Sequence, residues 1–318
     1  MIKLSVVIPI YNEEALLKTV FDRFKNLVEQ MHDCCGVERS KIELIFVNDG
    51  STDQSLPQLI DFATENRHVM CINLARNFGH QLAITAGINA SSGDAVVVID
   101  GDLQDPPEFI INLYQKHLEG VDVVYAIRKR RFGESWFKLL TAKCFYKMIS
   151  LLSKTEVIQN VGDFRLMSRR VVNVFNQMPE QHRFIRGMIP WVGFKQEGLL
   201  YEREKRYQGK TKFSIKHMIN FSMDGITSFS TIPLRLVGIL GIGVSILGAL
   251  YASYVLYEKV IQNSTIQGWT SLMIIILVMG GAQLICLGVI GEYIARIHDQ
   301  VKHRPLYVIE KTYKKLES

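Results

Sequence analysis

Asp100 and Asp102 stand two residues apart in AVVVIDGDLQDPPE, directly behind a wholly apolar run. Carboxylates this close repel one another unless a cation lies between or beside them. Hard oxygen ligands with open coordination positions suit Mg2+ or Mn2+ bridging to a diphosphate. The plainer reading is a polar turn opening the next helix, although Asp105 before Pro106 is better placed for that. Upstream, Pro9, Tyr11 and Glu13 in VVIPIYNEE and Asp49 in VNDGSTD hold the makings of a nucleoside pocket. Tyr11 offers a stacking face, and the carboxylates can accept from a base N–H or from ribose hydroxyls. NDGS is equally a turn with Ser51 as a helix cap. Neither GxGxxG nor GxxxxGK[ST] occurs, so the phosphate cradles of dinucleotide-binding and P-loop sites are missing.

These residues need elements to hold them. LSVVIPI, IELIFVND, HVMCINLA, AVVVID and VDVVYAI are strand-sized apolar runs. Between them lie helical patterns, the clearest placing Leu16, Leu17, Val20, Phe21, Phe24, Leu27 and Val28 on one face. Strand–helix alternation predicts an α/β fold with a mostly parallel sheet covered on both faces. Ligands of open sheets bind beyond the carboxyl ends of the strands. The polar residues fall there: Tyr11 to Glu13 after the first strand, Asn48 to Ser51 after the second, Arg76 and Asn77 after the third, Asp100 and Asp102 after the fourth.

The chain has 318 residues, 48% hydrophobic and 21% charged, with a net charge of +6. This composition excludes a disordered, collagen-like or disulfide-framework protein. The five cysteines are odd in number and show no CxxC, which fits a reducing compartment. The N-terminal MIKLSVVIPIYNEE lacks a small-residue cleavage site and reads as a strand. Leu236 to Tyr257 and Ser271 to Gly291 contain no Asp, Glu, Lys or Arg, and each is long enough to cross a bilayer core of about 30 Å. Gly238, Gly241, Gly243, Ser245, Gly248 and Ala249 would let two such helices approach closely. Lysines and arginines flank the pair on its outer sides, whereas the loop between has only Lys259. This asymmetry predicts both termini in the cytoplasm of a multi-pass inner-membrane protein. The expected organisation is a catalytic domain over 1–212, amphipathic juxtamembrane helices over 213–231, a membrane hairpin over 232–294 with spans at about 234–257 and 270–292, and a cytoplasmic basic tail over 295–318.

Arg128, Lys129, Arg130 and Arg131 follow the fifth strand, with Ser135 close behind. A second basic cluster, Arg203, Lys205, Arg206, Lys210 and Lys212, precedes the membrane. Two such clusters bracketing GDFRL beside a bilayer point to an anionic substrate carried in that bilayer, arginine being suited to bidentate phosphate contacts. The juxtamembrane cluster would also attract anionic lipid.

Taken together, VVIPIYNEE, VNDGSTD, LARNFGHQLAITAG, DGDLQDPPE, NVGDFRLMSRRVV and GKTKFS, followed by two spans, resemble the inverting GT-A glycosyltransferases of family 2 acting on polyprenyl phosphate. Within them the chain looks most like the bactoprenol glucosyltransferases, which are similar in turn to dolichyl-phosphate mannose synthases. The resemblance implies a Rossmann-like GT-A domain in which Pro9, Tyr11, Glu13, Asp49 and Arg76 hold a nucleotide sugar. It implies that Asp100, Asp102 and Gln104 hold Mg2+ or Mn2+ and the donor diphosphate. Arg128, Arg131 and Ser135 would take the acceptor phosphate, with Arg165, Arg206 and Lys212 as further contacts. Asp163 in VGDFRL is the family's candidate base. A phosphate monoester is mostly ionised at pH 7, its second pKa lying near 6, so Asp163 has little proton to remove and is expected to orient the acceptor or Arg165, or to remove a residual proton.

The implied activity is transfer of glucose from UDP-glucose to undecaprenyl phosphate with inversion, for cell-surface glycan modification such as that of lipopolysaccharide O-antigen. GDP-mannose or an aminoarabinose donor is the alternative within the chemistry; a membrane scaffold with a nucleotide-binding domain is the alternative outside it. Self-association into a homo-oligomer and a separate flippase for the product are expected, and nucleic acid is not expected as a partner.

Overall fold

The computed structural model describes residues 2–129, 161–204, 232–261 and 268–315. The chain forms two compact units, one of residues 1–222 with 305–318 and the other of residues 223–304.

In the first unit β1 (Leu4–Ile10), β2 (Ile42–Asn48), β3 (Val69–Leu74) and β4 (Ala95–Val98) alternate with α1 (Leu17–Cys35), α2 (Ser55–Glu65) and α3 (His80–Ala90). Then follow α4 (Ile110–Leu118), β5 (Val123–Arg128), β6 (Val161–Ser168), α5 (Arg169–Gln177), α6 (Ile185–Val192) and β7 (Gln196–Tyr201), and β8 (Ile309–Lys314) closes the unit. Every residue of β1 is buried, as a strand covered on both faces must be, which is why LSVVIPI is continuously apolar rather than alternating. The sheet order is β7-β5-β6-β4-β1-β2-β3-β8. β1 runs parallel to β2 and β4, and β2 parallel to β3. β6 is inserted antiparallel between β4 and β5. That insertion brings the GDFRL segment alongside the strand that ends in Asp100, a neighbour relation the sequence order does not suggest.

Against β2 sits an aromatic cluster. Phe46 is fully buried at its centre, with Phe21, Phe24 and Phe62 edge-on at 5.7, 6.0 and 5.8 Å, and Phe21 stacks on Phe62 at 4.0 Å. The opposite half of the sheet is tied by Asp122, just before β5. Its carboxylate accepts from Ser168 Oγ at 2.9 Å and pairs with the Arg170 guanidinium.

Part of the segment read as a cytoplasmic basic tail forms a strand. Ile309–Lys314 is strand β8, antiparallel to β3, and residues 305–318 belong to the first unit. The unpaired edge of β3 offers a ladder of N–H and C=O groups, and TYK carries enough β propensity to take it; Lys311 and Lys314 then lie on an exposed strand, where lysine normally sits on sheet edges.

The second unit consists of α7 (Ile232–Ile261) and α8 (Trp269–Val301). Leu234–Tyr257 and Ile274–Val301 are long and apolar enough to cross a membrane. Leu240, Leu247, Leu277 and Leu284 are exposed, while Glu292, Arg296 and Asp299 make the last turns of α8 charged. The helices overrun the expected spans of 234–257 and 270–292. The juxtamembrane segment 213–231 lies outside the described residues.

Phe46→Ala should lower unfolding stability by about 3–5 kcal/mol, read from a denaturant titration of the detergent-solubilised protein. Asp122 is held below the ordinary carboxylate range by its hydrogen bond from Arg170, so its contribution is present above an unfolded pKa of about 3.9 and lost as pH falls through the lower folded value. The stability gap between wild type and Asp122→Asn should therefore be widest near pH 7 and shrink below about pH 4, as followed by thermal unfolding across pH.

Candidate functional site

The β1–α1 and β2–α2 loops are laced together. Asn12, at φ 53°, accepts the Thr52 N–H at 2.8 Å through Oδ1, and its own N–H donates to Ser51 Oγ at 3.0 Å. The Glu13 N–H donates to Ser55 Oγ at 3.0 Å. Pro9 lies in buried β1 while Tyr11 is 39% exposed at its end. Asp49 is buried, and both its oxygens are taken by the loop after β3, Oδ1 by the Phe78 N–H at 2.7 Å and Oδ2 by the Gly79 N–H at 3.0 Å. Burial raises its pKa against these bonds. Asp49 therefore anchors the third loop to the second. Gly50 makes this approach possible: its φ is +64°, and a Cβ there would lie 2.5 Å from the backbone of Arg76 and Asn77. Arg76 is exposed and folds over the Phe78 ring at 4.1 Å.

Beyond β4 the chain turns sharply. Leu103 is buried with φ 55°, a conformation costing a non-glycine residue about 1–2 kcal/mol, and the Gln104 N–H donates to Asp102 Oδ1 at 3.1 Å. Burial and the neighbouring Asp100 raise the pKa of Asp102. Asp100 Oδ1 is buried without a hydrogen bond, 3.3 Å from His80 Nε2. An orphaned carboxylate oxygen next to a second carboxylate with a raised pKa is the electrostatic signature of a place for a cation, so the residues fit a divalent ion. Among the described residues no group of three His, Cys, Asp or Glu side chains gathers around a metal position.

Asp163, on β6, faces the same space. Its side chain is 1% exposed, yet Arg186 donates to it twice, Nε to Oδ1 at 3.0 Å and Nη2 to Oδ2 at 2.8 Å. His80 Nε2 lies 3.4 Å from Oδ2 and bridges to Asp100. Gln81 Nε2 approaches Oδ2 at 3.5 Å while its Oε1 accepts the Ile185 N–H at 3.0 Å. Burial alone would raise the Asp163 pKa, but the Arg186 charge and the His80 and Arg186 hydrogen bonds outweigh it and hold it well below the usual range. Burial opposes the charged form of His80 too, and Asp100 and Asp163 overcome it, raising its pKa.

Asp105 is the third carboxylate of the DGDLQD turn and is not a helix cap. It is fully buried; Oδ1 accepts from Tyr201 Oη and from Arg203 Nε at 3.1 Å, and Arg128 Nη2 lies 3.7 Å from Oδ2. Arg128 Nε also donates to Tyr201 Oη at 3.2 Å. The Glu204 N–H donates to Gln104 O at 2.9 Å, and Arg23 on α1 grips both Glu108 and Glu204. The turn carrying Asp100 and Asp102 is thus bonded to the chain leaving β7.

Of the expected residues, Pro9, Tyr11, Glu13, Asp49, Arg76, Asp100, Asp102, Gln104, Arg128 and Asp163 all lie at the carboxyl-end face or its rim. Arg165 does not: its side chain is 1% exposed, its Nη2 donates to Gly162 O at 2.6 Å and its Nε to Asp163 O at 3.3 Å. Its guanidinium sits over the Tyr125 ring, so it braces β6 from within. Arg131, Ser135, Arg206 and Lys212 lie outside the described residues. Sequence reasoning passes over His80, Gln81, Asp105, Arg186 and Tyr201. Their signals are in NFGHQ, at a helix start just past a strand end, and in RFIRG, an arginine embedded among apolar residues.

The sequence profile of glycosyl transferase family 2 matches residues 5–175, and that of the GtrB C-terminal hairpin matches residues 232–297. An uncharacterised glycosyltransferase of Synechocystis is 46% identical over 97% of this chain and 95% of its own. The SfII prophage-derived bactoprenol glucosyl transferase of Shigella flexneri is 38% identical over 98% of this chain and 99% of its own. Glucosyl-3-phosphoglycerate synthase of Mycobacterium tuberculosis superposes over 71% of this chain and 77% of its own with a TM-score of 0.45 and 21% identity, too distant a likeness to carry residue roles. The profile match and these relatives, with paired carboxylates at the strand ends of an α/β sheet, make the chain a glycosyltransferase, and it belongs to glycosyl transferase family 2.

Proposed function

We propose that the protein transfers glucose from UDP-glucose to undecaprenyl phosphate at the cytoplasmic face of the membrane, with inversion at the anomeric carbon. The observation that carries this reading is the facing of Asp100 and Asp163 across β4 and β6, in a chain that also holds two helices long enough to cross a membrane. A relative named as a bactoprenol glucosyl transferase, matched end to end, supports the acceptor and the sugar. The charge asymmetry around the spans supports the cytoplasmic face.

The nucleoside lies over the loops of β1 to β3, against Tyr11 and Glu13 and beside the Asp49-anchored loop that carries Arg76. Asp100 and Asp102, with Gln104, would hold Mg2+ or Mn2+; when bound, the ion neutralises charge on the departing diphosphate. A non-bridging oxygen of the acceptor phosphate attacks C1 from the face opposite UDP. The new C1–O bond forms as the C1–O bond to UDP breaks, and the electron pair leaves with UDP. The nucleophile is already ionised near pH 7, so the rate comes from holding two anions in line and neutralising their charge. Arg128, tethered by Asp105, stands on the acceptor side.

The purified protein, given undecaprenyl phosphate, Mg2+ or Mn2+ and a panel of labelled nucleotide sugars, should form a lipid-linked product best from UDP-glucose. Product from GDP-mannose or an aminoarabinose donor alone would move the assignment to that donor, and no product from any would refute it. Asp102→Ala should reduce transfer by about a hundredfold or more, the loss expected when preorganised transition-state stabilisation is removed. Gly50→Ala should weaken UDP binding about tenfold, or about 1.4 kcal/mol, because its Cβ forces the Arg76 loop away; titration calorimetry reads it.

A further inference from the structure

Two arginines flank Asp163, and the structure separates them. Arg165 is interior: its Nε and Nη2 donate to backbone carbonyls, and its Nη1 is buried without a hydrogen-bond partner. Arg186, at the start of α6, has a side chain 32% exposed and reaches a carboxylate that is 1% exposed. A bidentate contact of this kind fixes the plane of a guanidinium. Gln81 fixes the other side of the arrangement, touching Asp163 and accepting the Ile185 N–H one residue before Arg186. Asp163 is thus ringed by Arg186, His80 and Gln81, its lone pairs are engaged, and it is a poor acceptor for a substrate proton.

The strand order says which substrate this cation serves. β1, β2 and β3 lie on one side of β4, and β6, β5 and β7 on the other. The nucleoside loops occupy the first side and the paired aspartates the middle. Arg186 contacts the strand on the second side, where Arg128 is also found. Arg128 lies 3.7 Å from the buried Asp105; Arg186 is likewise paired, with Asp163, while its side chain stays 32% exposed.

We propose that Arg186 binds the phosphate of the prenyl-phosphate acceptor, and that Asp163 is the positioning residue that holds it, rather than a base. The inference rests on the lipid-phosphate reading above. Its test is binding, so that it does not depend on which sugar is transferred. The full-length protein in detergent is titrated with farnesyl phosphate, with farnesol as the uncharged control and UDP with Mg2+ as the check on the other half of the site. Arg186→Gln and Asp163→Asn should each weaken farnesyl phosphate binding tenfold or more and leave UDP binding within twofold. Arg186→Lys should recover part of the loss. The double variant should be no worse than either single one, because the two residues act as a unit.

Wild-type affinity for farnesyl phosphate in Arg186→Gln would overturn the assignment, as would equal loss of UDP binding or failure of the wild type to prefer farnesyl phosphate over farnesol. A base would behave differently: Asp163→Asn would then keep acceptor affinity and KM, lose kcat alone, and regain rate as pH rises. That result would overturn the anchoring role. If farnesyl phosphate binds as expected while no nucleotide sugar is turned over, the transfer reading fails and the anion site stands.

Discussion

Negative charge crowded at one face of a sheet is the constraint around which this molecule is arranged. Asp49, Asp100, Asp102, Asp105 and Asp163 all arrive at or near the carboxyl ends of adjacent strands, and Asp49, Asp105 and Asp163 are almost fully buried. Two unit charges about 6 Å apart repel by about 3 kcal/mol at an effective dielectric near 20. The fold answers with a different counter-group at each carboxylate. Asp49 takes two backbone N–H groups, Asp105 takes Tyr201, Arg203 and Arg128, and Asp163 takes Arg186 and His80. Asp100 shares His80 with Asp163, and Asp102 takes the Gln104 N–H.

The same bonds assemble the site from distant pieces of chain. Asp105 connects the turn after β4 to β5 and to the exit of β7; Arg23 reaches from α1 to Glu108 and Glu204; Gln81 joins α3 to α6. A carboxylate whose partner lies on another element cannot lose it without leaving charge buried, at a cost of several kcal/mol. Electrostatic compensation and loop positioning are therefore one set of interactions. Preorganisation of this kind suits a reaction between two anionic substrates, where proximity and charge neutralisation matter more than proton transfer.

Much of this arrangement is legible in the residues alone. The mostly apolar runs LSVVIPI and IELIFVND form β1 and β2, strands buried on both faces whose few polar side chains, such as Ser5 and Asn48, are hydrogen-bonded. Leu236–Tyr257 announces itself by the absence of charge over a membrane's thickness. Asp100 and Asp102 are visible because their repulsion is local, needing only their spacing. Arg165 misleads for the opposite reason: a motif arginine looks like a ligand until the sheet closes over it. The KTYKK segment looks like a solvated tail because lysine favours both tails and sheet edges, and only the open edge of β3 decides between them.

The sequence by itself determined the alternation of elements, the membrane-length helices and the acidic pair, since each depends on residues close together in the chain. Tertiary structure alone decided that β6 slots antiparallel between β4 and β5, that Arg186 pairs with Asp163 while Arg165 turns inward, and that Asp105 holds Arg128 across the turn. Those relations join residues tens of positions apart. They are set by which strand edge is open, which carboxylate is buried, and which guanidinium can reach it, and no short-range pattern encodes these.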